Sequence, residues 1–363
     1  SSAASDVYKR QCLDYATIQE AINAPETLDG HTIRVDDGIY YEHIVISKSI
    51  SLIGEDRSTT VIDGNGTWIA VALGETNITF SGFTVENADV GVGFGSSNIF
   101  VIGINVDNCH FGIFADECFN CVISGNNVNN QTVKKGEYED FGGGGIALDE
   151  CVYCNVTGNN ANNNELIGIW VRGGLNNVIG NNANNNLIGV VLDEASNCTV
   201  AGNILSNNRC GIEFEPAHNC SIYANNIINN AWGISPAGSN NSIYHNNLIN
   251  NTEHVETGFL GYHTWDDGYP SGGNYWSDYE ERYPNAVELD SSGIWDTPYV
   301  IDENNNDRYP LMNPYVDTMP PTISIISPEN KTYPVKDVPL TFTLSETTSW
   351  IGYSLDGQAN VTI

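Results

Sequence analysis

The sequence predicts an all-β fold, a parallel β-helix in which short strands wind into stacked coils of about 22 residues. Two observations carry this. First, the text from Asn120 to Asn251 repeats, as NCVISGNNVNN, CNVTGNNANNN, NNVIGNNANNN, NCTVAGNILSNN, NCSIYANNIINN and NNSIYHNNLINN. One apolar position aligns as Phe80, Val101, Ile123, Val156, Ile179, Val200, Ile222 and Ile243, in steps of 21, 22, 33, 23, 21, 22 and 21 residues. Second, Gly112-Ile113, Gly145-Ile146, Gly168-Ile169, Gly189-Val190, Gly211-Ile212 and Gly233-Ile234 recur in step with it. Within a repeat, runs such as Ile212-Glu213-Phe214-Glu215 alternate with the period of a strand rather than a helix. Gly and Asn-Asn separate the runs, and both tolerate the left-handed backbone that corners need. Stacked coils place Asn above Asn, so side-chain amides can bond along the axis as a ladder.

The elements follow in order. Residues 1–11, SSAASDVYKRQ, resemble the in-frame translation of a sequencing adapter and are excluded from the fold. Residues 12–25 predict a short helix: Thr17 and Glu20 form a capping box, and Ile18, Ala21 and Ile22 make an apolar face. The first coils lack the Asn pairs, as terminal repeats commonly do. The step of 33 residues holds an insertion at residues 131–144 with Lys134, Lys135 and Tyr138. Insertions in a solenoid fall on one face, often the binding face. The solenoid is expected over residues 12–251 and an aromatic-rich cap over 252–319. After Pro320-Pro321, residues 320–363 read as the opening part of an immunoglobulin-like β-sandwich module that continues beyond this sequence.

Three pieces carry a family resemblance. They are YATIQEAIN with GIYYEHIVISKSISLIGE, the Asn-rich coils, and GYPSGGNYWSDY with DTPYVIDENNNDRYPLMNPY. On these, residues 15–315 resemble the right-handed parallel β-helices shared by carbohydrate-binding proteins and sugar hydrolases. More narrowly, they resemble the NosD-like family of periplasmic copper-binding proteins. The resemblance implies the fold, a helix covering the N-terminal end, and copper as a ligand. Chemistry on this fold resides in individual sites.

Composition narrows the partners. The 363 residues are 40% hydrophobic and carry a net charge of −32. Such charge opposes binding to nucleic acid or to an anionic membrane surface. No apolar run reaches the roughly 18 residues of a membrane-spanning helix. An extracellular or cell-surface location is expected, with the periplasm as the alternative. Ten Asn-x-Ser/Thr sequons permit surface glycosylation.

Several constellations could carry chemistry. Cys118-x-x-Cys121 and Cys151-x-x-Cys154 have the spacing of a tetrahedral zinc site. The repeat also puts Cys121, Cys154, Cys198 and Cys220 in the inward column of Ile78 and Ile99, where a buried thiol acts as a small hydrophobe. Stacked core thiols are the preferred reading, with zinc and a disulfide as the alternatives. Copper draws little support from two Met and seven scattered His. Asp302, Asn304, Asn306 and Asp307 alternate like calcium ligands, yet Asp307 and Asn313 depart from the EF-hand pattern.

Strand parity gives the main candidate. After each Gly-Ile, the fourth residue faces outward: Asp116, Asp149, Arg172, Asp193, Glu215 and Ala237. The second outward positions include Trp170 and Glu213. The expectation is a stripe of carboxylates interrupted by Arg172, beside Trp170, with residues 131–144 as a wall. Asp149, Arg172, Asp193 and Glu215 are the candidate catalytic set, since paired carboxylates can cleave a glycosidic bond. Asp116, Trp170, Glu213, Lys134 and Tyr138 are the candidate ligand-binding set. The preferred function is a non-catalytic envelope or adhesion protein contacting glycans or cell-envelope polymers. A polysaccharide-cleaving enzyme comes second and a copper-binding accessory protein third. No cofactor is assigned with certainty; calcium is the candidate, and copper is not expected.

Overall fold

The computed structural model describes residues 15–132, 144–258 and 260–316, and four short strands between 323 and 362. Residues 1–11, Lys134, Lys135 and Tyr138 lie outside the described residues. The chain winds as a parallel β-solenoid with three faces. One sheet has ten strands, from Thr32–Val35 to Ser242–Tyr244. A broader sheet has 13 strands and carries the Gly-Ile segments, among them Phe111–Asp116, Gly144–Val152, Ile167–Gly174, Ile188–Ser196 and Cys210–His218. A third face is formed late in the chain by Ile204–Ser206, Asn226–Ile228, Asn247–Ile249 and Tyr275–Trp276.

Alternation along each strand fills the core. Phe80, Val101, Ile123, Val156, Val200, Ile222 and Ile243 stack inward and are fully buried. One expected member is corrected. Val156 pairs with Val178, and Val178 with Val200, so both steps are 22 residues and Ile179 faces outward. Val178 and Ile179 are adjacent and both apolar, so hydrophobicity alone could not choose between them. Cys121, Cys154, Cys198 and Cys220 are buried in the neighbouring inward column.

The Asn pairs divide their work. The first Asn of each pair enters a buried ladder of Asn126, Asn159, Asn181, Asn203, Asn225, Asn246 and Asn274. Each amide oxygen accepts the backbone N–H of the coil before it, as in Asn159 N–H to Asn181 Oδ1 at 2.9 Å. A second buried ladder runs through Gln131, Asn164, Asn186, Asn208, Asn230 and Asn251. Together they satisfy corner backbone groups that a purely apolar core would orphan. The Gly of each Gly-Ile pair lies against this second ladder. A Cβ on Gly189 would stand 2.6 Å from the Gly211 carbonyl, so the close stacking of coils requires glycine there. At another corner Gly103, Gly125, Gly158, Gly180 and Gly202 share φ between +63° and +65°. Ala224 and His245 occupy the same place at φ +56° and +55°.

Both ends are covered. The N-terminal helix is Ile18–Asn23, shorter than residues 12–25, with Ile18, Ala21 and Ile22 buried. Thr17 accepts from the Glu20 N–H, as the capping box predicts. The carboxylate of Glu42, from the coils, caps the N–H groups of Ile18 and Gln19 at 3.0 Å each. At the other end the stacking passes residue 251: Asn274 continues the ladder and Tyr275–Trp276 pairs with Asn247–Ile249. The step from Asn246 to Asn274 is 28 residues, which hides the period in the sequence. Trp265, Trp276, Tyr279 and Tyr299 are buried, with Trp276 stacked on Tyr299 at 4.0 Å. Beyond residue 316 the described strands form two antiparallel pairs, Ile323–Ser327 with Thr341–Leu344 and Gly352–Tyr353 with Val361–Thr362. The rest of the expected immunoglobulin-like module lies outside the described residues.

Candidate functional site

The broad sheet places the stripe residues in register except at the Asp149–Arg172 step, where the pairing is irregular. Asp116 pairs with Asp149, Arg172 with Asp193, and Asp193 with Glu215, on strands about 4.8 Å apart. Asp149 meets Arg172 across the remaining step, at 3.4 Å between Oδ1 and a guanidinium nitrogen. Arg172 also reaches Glu150 at 3.5 Å and Glu194 at 3.3 Å, both at corners with positive φ. One cation therefore bridges three carboxylates of neighbouring coils. Trp170 stands close enough to Asp193 to favour its charged form. Ala147 and Val191, the outward neighbours on either side of Trp170, are buried.

Burial shapes the electrostatics of the stripe. It pushes the Asp149 and Asp193 carboxyls above their ordinary range, and Arg172 offsets only part of this. Glu213 is pushed up by burial and then by Glu215, and Glu215 by burial and then by Asp193. These groups hold protons more readily than free carboxylates.

The stripe joins two clefts that the sequence analysis missed. Asp116 lines a cleft of about 390 Å³ with Trp68, Ile69, Phe94, His110, Phe111 and Phe114. Trp68 is 61% exposed, an open indole face at this end. Asp193 and Glu215 line a second cleft of about 530 Å³ with Glu213, Glu256, Arg209 and Trp232. There the Arg209 guanidinium lies 4.9 Å from the Trp232 ring centre. A signal for both clefts exists in the sequence. Phe111 and Trp232 immediately precede the Gly of their registers, where Ile167 and Ile188 stand in other coils. Trp68 belongs to an early coil without Asn pairs, so no periodic signal marked it.

The expected calcium loop does not form a cage. Asp302 Oδ1 accepts the N–H groups of Asn304 and Asn305, both at 2.7 Å, and so closes a turn. Asn306 is exposed, whereas Asp307 is buried and faces the cap. The Asp307 carboxylate accepts from Asn274 N–H, Trp276 Nε1–H and Tyr309 N–H at 2.6, 2.9 and 3.0 Å. Asp302 thus serves its own turn and Asp307 the cap.

Comparison with known proteins places the chain. The family model described as "Periplasmic copper-binding protein (NosD)" matches residues 25–209 and 133–281. The chain belongs to the NosD family. A cell surface glycoprotein of Methanothermus fervidus is 26% identical over 136 residues, covering 34% of this chain and 17% of that protein. The chain thus spans only a small part of that curated relative. The A-module of the mannuronan C-5 epimerase AlgE6 from Azotobacter vinelandii superposes with a TM-score of 0.51. It is 16% identical and is matched over 92% of its length and 68% of this chain. At that identity the likeness concerns the fold. The catalytic unit of an α-1,3-glucanase from Streptomyces thermodiastaticus is 11% identical at a TM-score of 0.44, over 65% of its length and 70% of this chain. Both the family description and the curated relative's name place their proteins outside the cytoplasm, in agreement with the expected location. Among the described residues no helix is long and apolar enough to cross a membrane.

The family description names copper, and the donors present decide the fit. Among the described residues no histidine joins a group of three potential ligands. The donors that gather are buried thiols, Cys118, Cys121 and Cys154, whose sulfurs all lie within 4.8 Å of one another. Thiolate donors suit soft cations, Cu⁺ and Zn²⁺ among them. The NosD-type description is therefore compatible with this chain through its cysteines rather than its histidines.

Proposed function

We propose that this NosD-family chain is a non-catalytic surface or envelope protein that lays a glycan across the outward face of its broad sheet. The observation that carries the reading is the order of features along that face. An exposed aromatic cleft at Trp68, Phe111 and Phe114 leads into the in-register stripe and ends in the acidic cleft at Trp232. Aromatic rings offer apolar faces to sugar rings, and carboxylates accept hydroxyl hydrogen bonds or hold calcium that does so. The net charge of −32 favours a neutral glycan over a polyanion. A glycan array, with and without calcium and scored for both binding and released product, tests this. Binding without release, weakened by Trp68→Ala, is the expected result. No binding to any neutral glycan in either arm sinks the proposal.

A second reading has one observation in its favour. Asp193 and Glu215 are in-register neighbours with raised pKa values, which suits an acid and a nucleophile at the closer, retaining separation. Product release in the same array, abolished by Glu215→Gln, would favour cleavage over simple binding.

A further inference from the structure

Two Cys-x-x-Cys corners stack inside the solenoid. Asp116 pairs with Asp149, Phe119 bridges to Val152, and Val122 pairs with Asn155, always at an offset of 33 residues. That offset carries Cys118 onto Cys151 and Cys121 onto Cys154. All four are at most 2% exposed. Cys118 Sγ lies 2.9 Å from Cys151 Sγ and 3.9 Å from Cys154 Sγ, and Cys121 Sγ is within 4.8 Å of Cys118 and Cys154. Metal–sulfur bonds of about 2.3 Å in a tetrahedron need sulfurs about 3.8 Å apart. Cys118, Cys121 and Cys154 already lie within 4.8 Å of one another, whereas Cys151 stands outside that group and must turn away from Cys118 to become the fourth ligand.

Backbone N–H groups reach two of the sulfurs. The Ile99 N–H points to Cys121 Sγ and the Cys121 N–H to Cys154 Sγ, each at 3.4 Å. Asn176 closes one side, accepting the Cys154 N–H at 2.8 Å and donating to the Cys151 carbonyl at 2.7 Å. The adjoining coils have Ser96 and Ile99 before the quartet, and Gly173 and Asn176 after it, in place of the cysteines. The doubled pair therefore occurs at one step of the solenoid. That step is the 33-residue one, whose long insertion raises the entropic cost of stacking its two coils. A cross-link at this point would offset that cost.

We propose that Cys118, Cys121, Cys151 and Cys154 bind one thiophilic d¹⁰ cation, Zn²⁺ or Cu⁺, as a structural centre clamping the two coils that flank the insertion. Metal–sulfur bonds form, each coordinating thiol gives its proton to solvent, and no sulfur changes oxidation state. Burial implies that the ion enters as the coils close, so binding is coupled to folding.

The test refolds the full chain from denaturant, anaerobically and with a non-thiol reductant, in the presence of either Zn²⁺ or Cu⁺. After gel filtration, metal is measured by mass spectrometry and thiols are counted by alkylation of the unfolded chain. The expected result is one equivalent of metal per chain with every cysteine alkylatable, and the two arms identify the ion. Co²⁺ refolding should give the intense visible bands of tetrahedral thiolate cobalt. Cys118→Ser and Cys154→Ser should retain no metal, whereas Cys198→Ser and Cys220→Ser should retain it. Should the quartet variants misfold, the parent alone still decides: its unfolding midpoint should be higher after refolding with metal than with chelator. Full reduction without bound metal, two missing thiols from a Cys118–Cys151 disulfide, or metal retained by both quartet variants each overturns the proposal.

Discussion

Asn181→Ala removes one rung of the buried ladder, and its cost can be worked from the contacts. Asn181 is fully buried, and its side chain makes four hydrogen bonds. Its Nδ2 donates to the Val156 carbonyl at 2.9 Å and to Asn203 Oδ1 at 3.0 Å. Its Oδ1 accepts from Asn159 N–H and Asn159 Nδ2, each at 2.9 Å. Alanine leaves the Asn159 N–H and the Val156 carbonyl without these partners in a dry core. At about 1–3 kcal/mol for each orphaned group, the loss is about 4 kcal/mol. The control is Asn177→Ala, on the outer face of the neighbouring strand. Asn177 is half-buried, and its side chain donates to Asn155 Oδ1 at 2.8 Å. Water can replace that partner, so the control should cost about 1 kcal/mol or less. Urea unfolding followed by circular dichroism and tryptophan fluorescence gives both values. Equal midpoints for the two variants, with equal slopes, would refute the reasoning that the inner ladder carries stability and the outer one little.

Four further outcomes follow from the same geometry. Trp276→Ala should cost about 3–5 kcal/mol by urea unfolding, since it empties a buried site, removes the stack on Tyr299 and takes a donor from Asp307. Ala224→Gly should raise stability by about 0.5–1 kcal/mol, because φ of +56° strains an alanine where other coils have glycine; an unchanged melting midpoint counts against it. Glu213→Gln should stabilise at neutral pH. The folded-state pKa of Glu213 is raised, so its favourable contribution is complete below the unfolded value and is lost as pH rises through the folded one. The gain from glutamine should therefore shrink on acidification across that window, and a pH-independent gain would contradict the sign. Trp170→Ala and Arg172→Ala should each weaken glycan binding about tenfold with the far-ultraviolet dichroism unchanged, the size expected for losing one ring contact or one charge-assisted bond.

Most of the fold was legible because the repeat constrains it many times over. Each coil restates the same parity, and the Gly-Ile register and the Asn pairs agree on where corners fall. Where the signals did not overlap, the reading slipped. Val178 and Ile179 were exchanged because both are apolar, and only the strand pairing with Val156 separates them. The final ladder rung at Asn274 escaped because 28 residues precede it instead of about 22. The stripe was readable because parity fixes direction along a strand. The two clefts were not, because Trp68, Phe111 and Trp232 are far apart in sequence and become neighbours of the stripe only through stacking. At the loop around Asp302 only the composition was legible. Its composition suggested ligands, but Asp302 closes a turn through the N–H groups of Asn304 and Asn305, and Asp307 is engaged by N–H groups of the cap.

The same separation of inward and outward positions bears on function. Inward residues must be apolar, thiol or ladder amide, and any chain meeting those demands winds this way. A 16%-identical epimerase module can share the coil and share nothing on its outer face. The outer face must therefore be judged by its own energetics. Asp149, Asp193, Glu213 and Glu215 stand partly buried on one sheet, each with a raised pKa, and Arg172 offsets only part of the shift at Asp149 and Asp193. A solenoid selected for stability alone could place Ser or Thr at these positions without penalty. Groups that cost stability where the fold does not need them are expected at functional surfaces. On that ground the outward stripe, and not the oxygen-rich loop of the cap, is where a ligand should be sought.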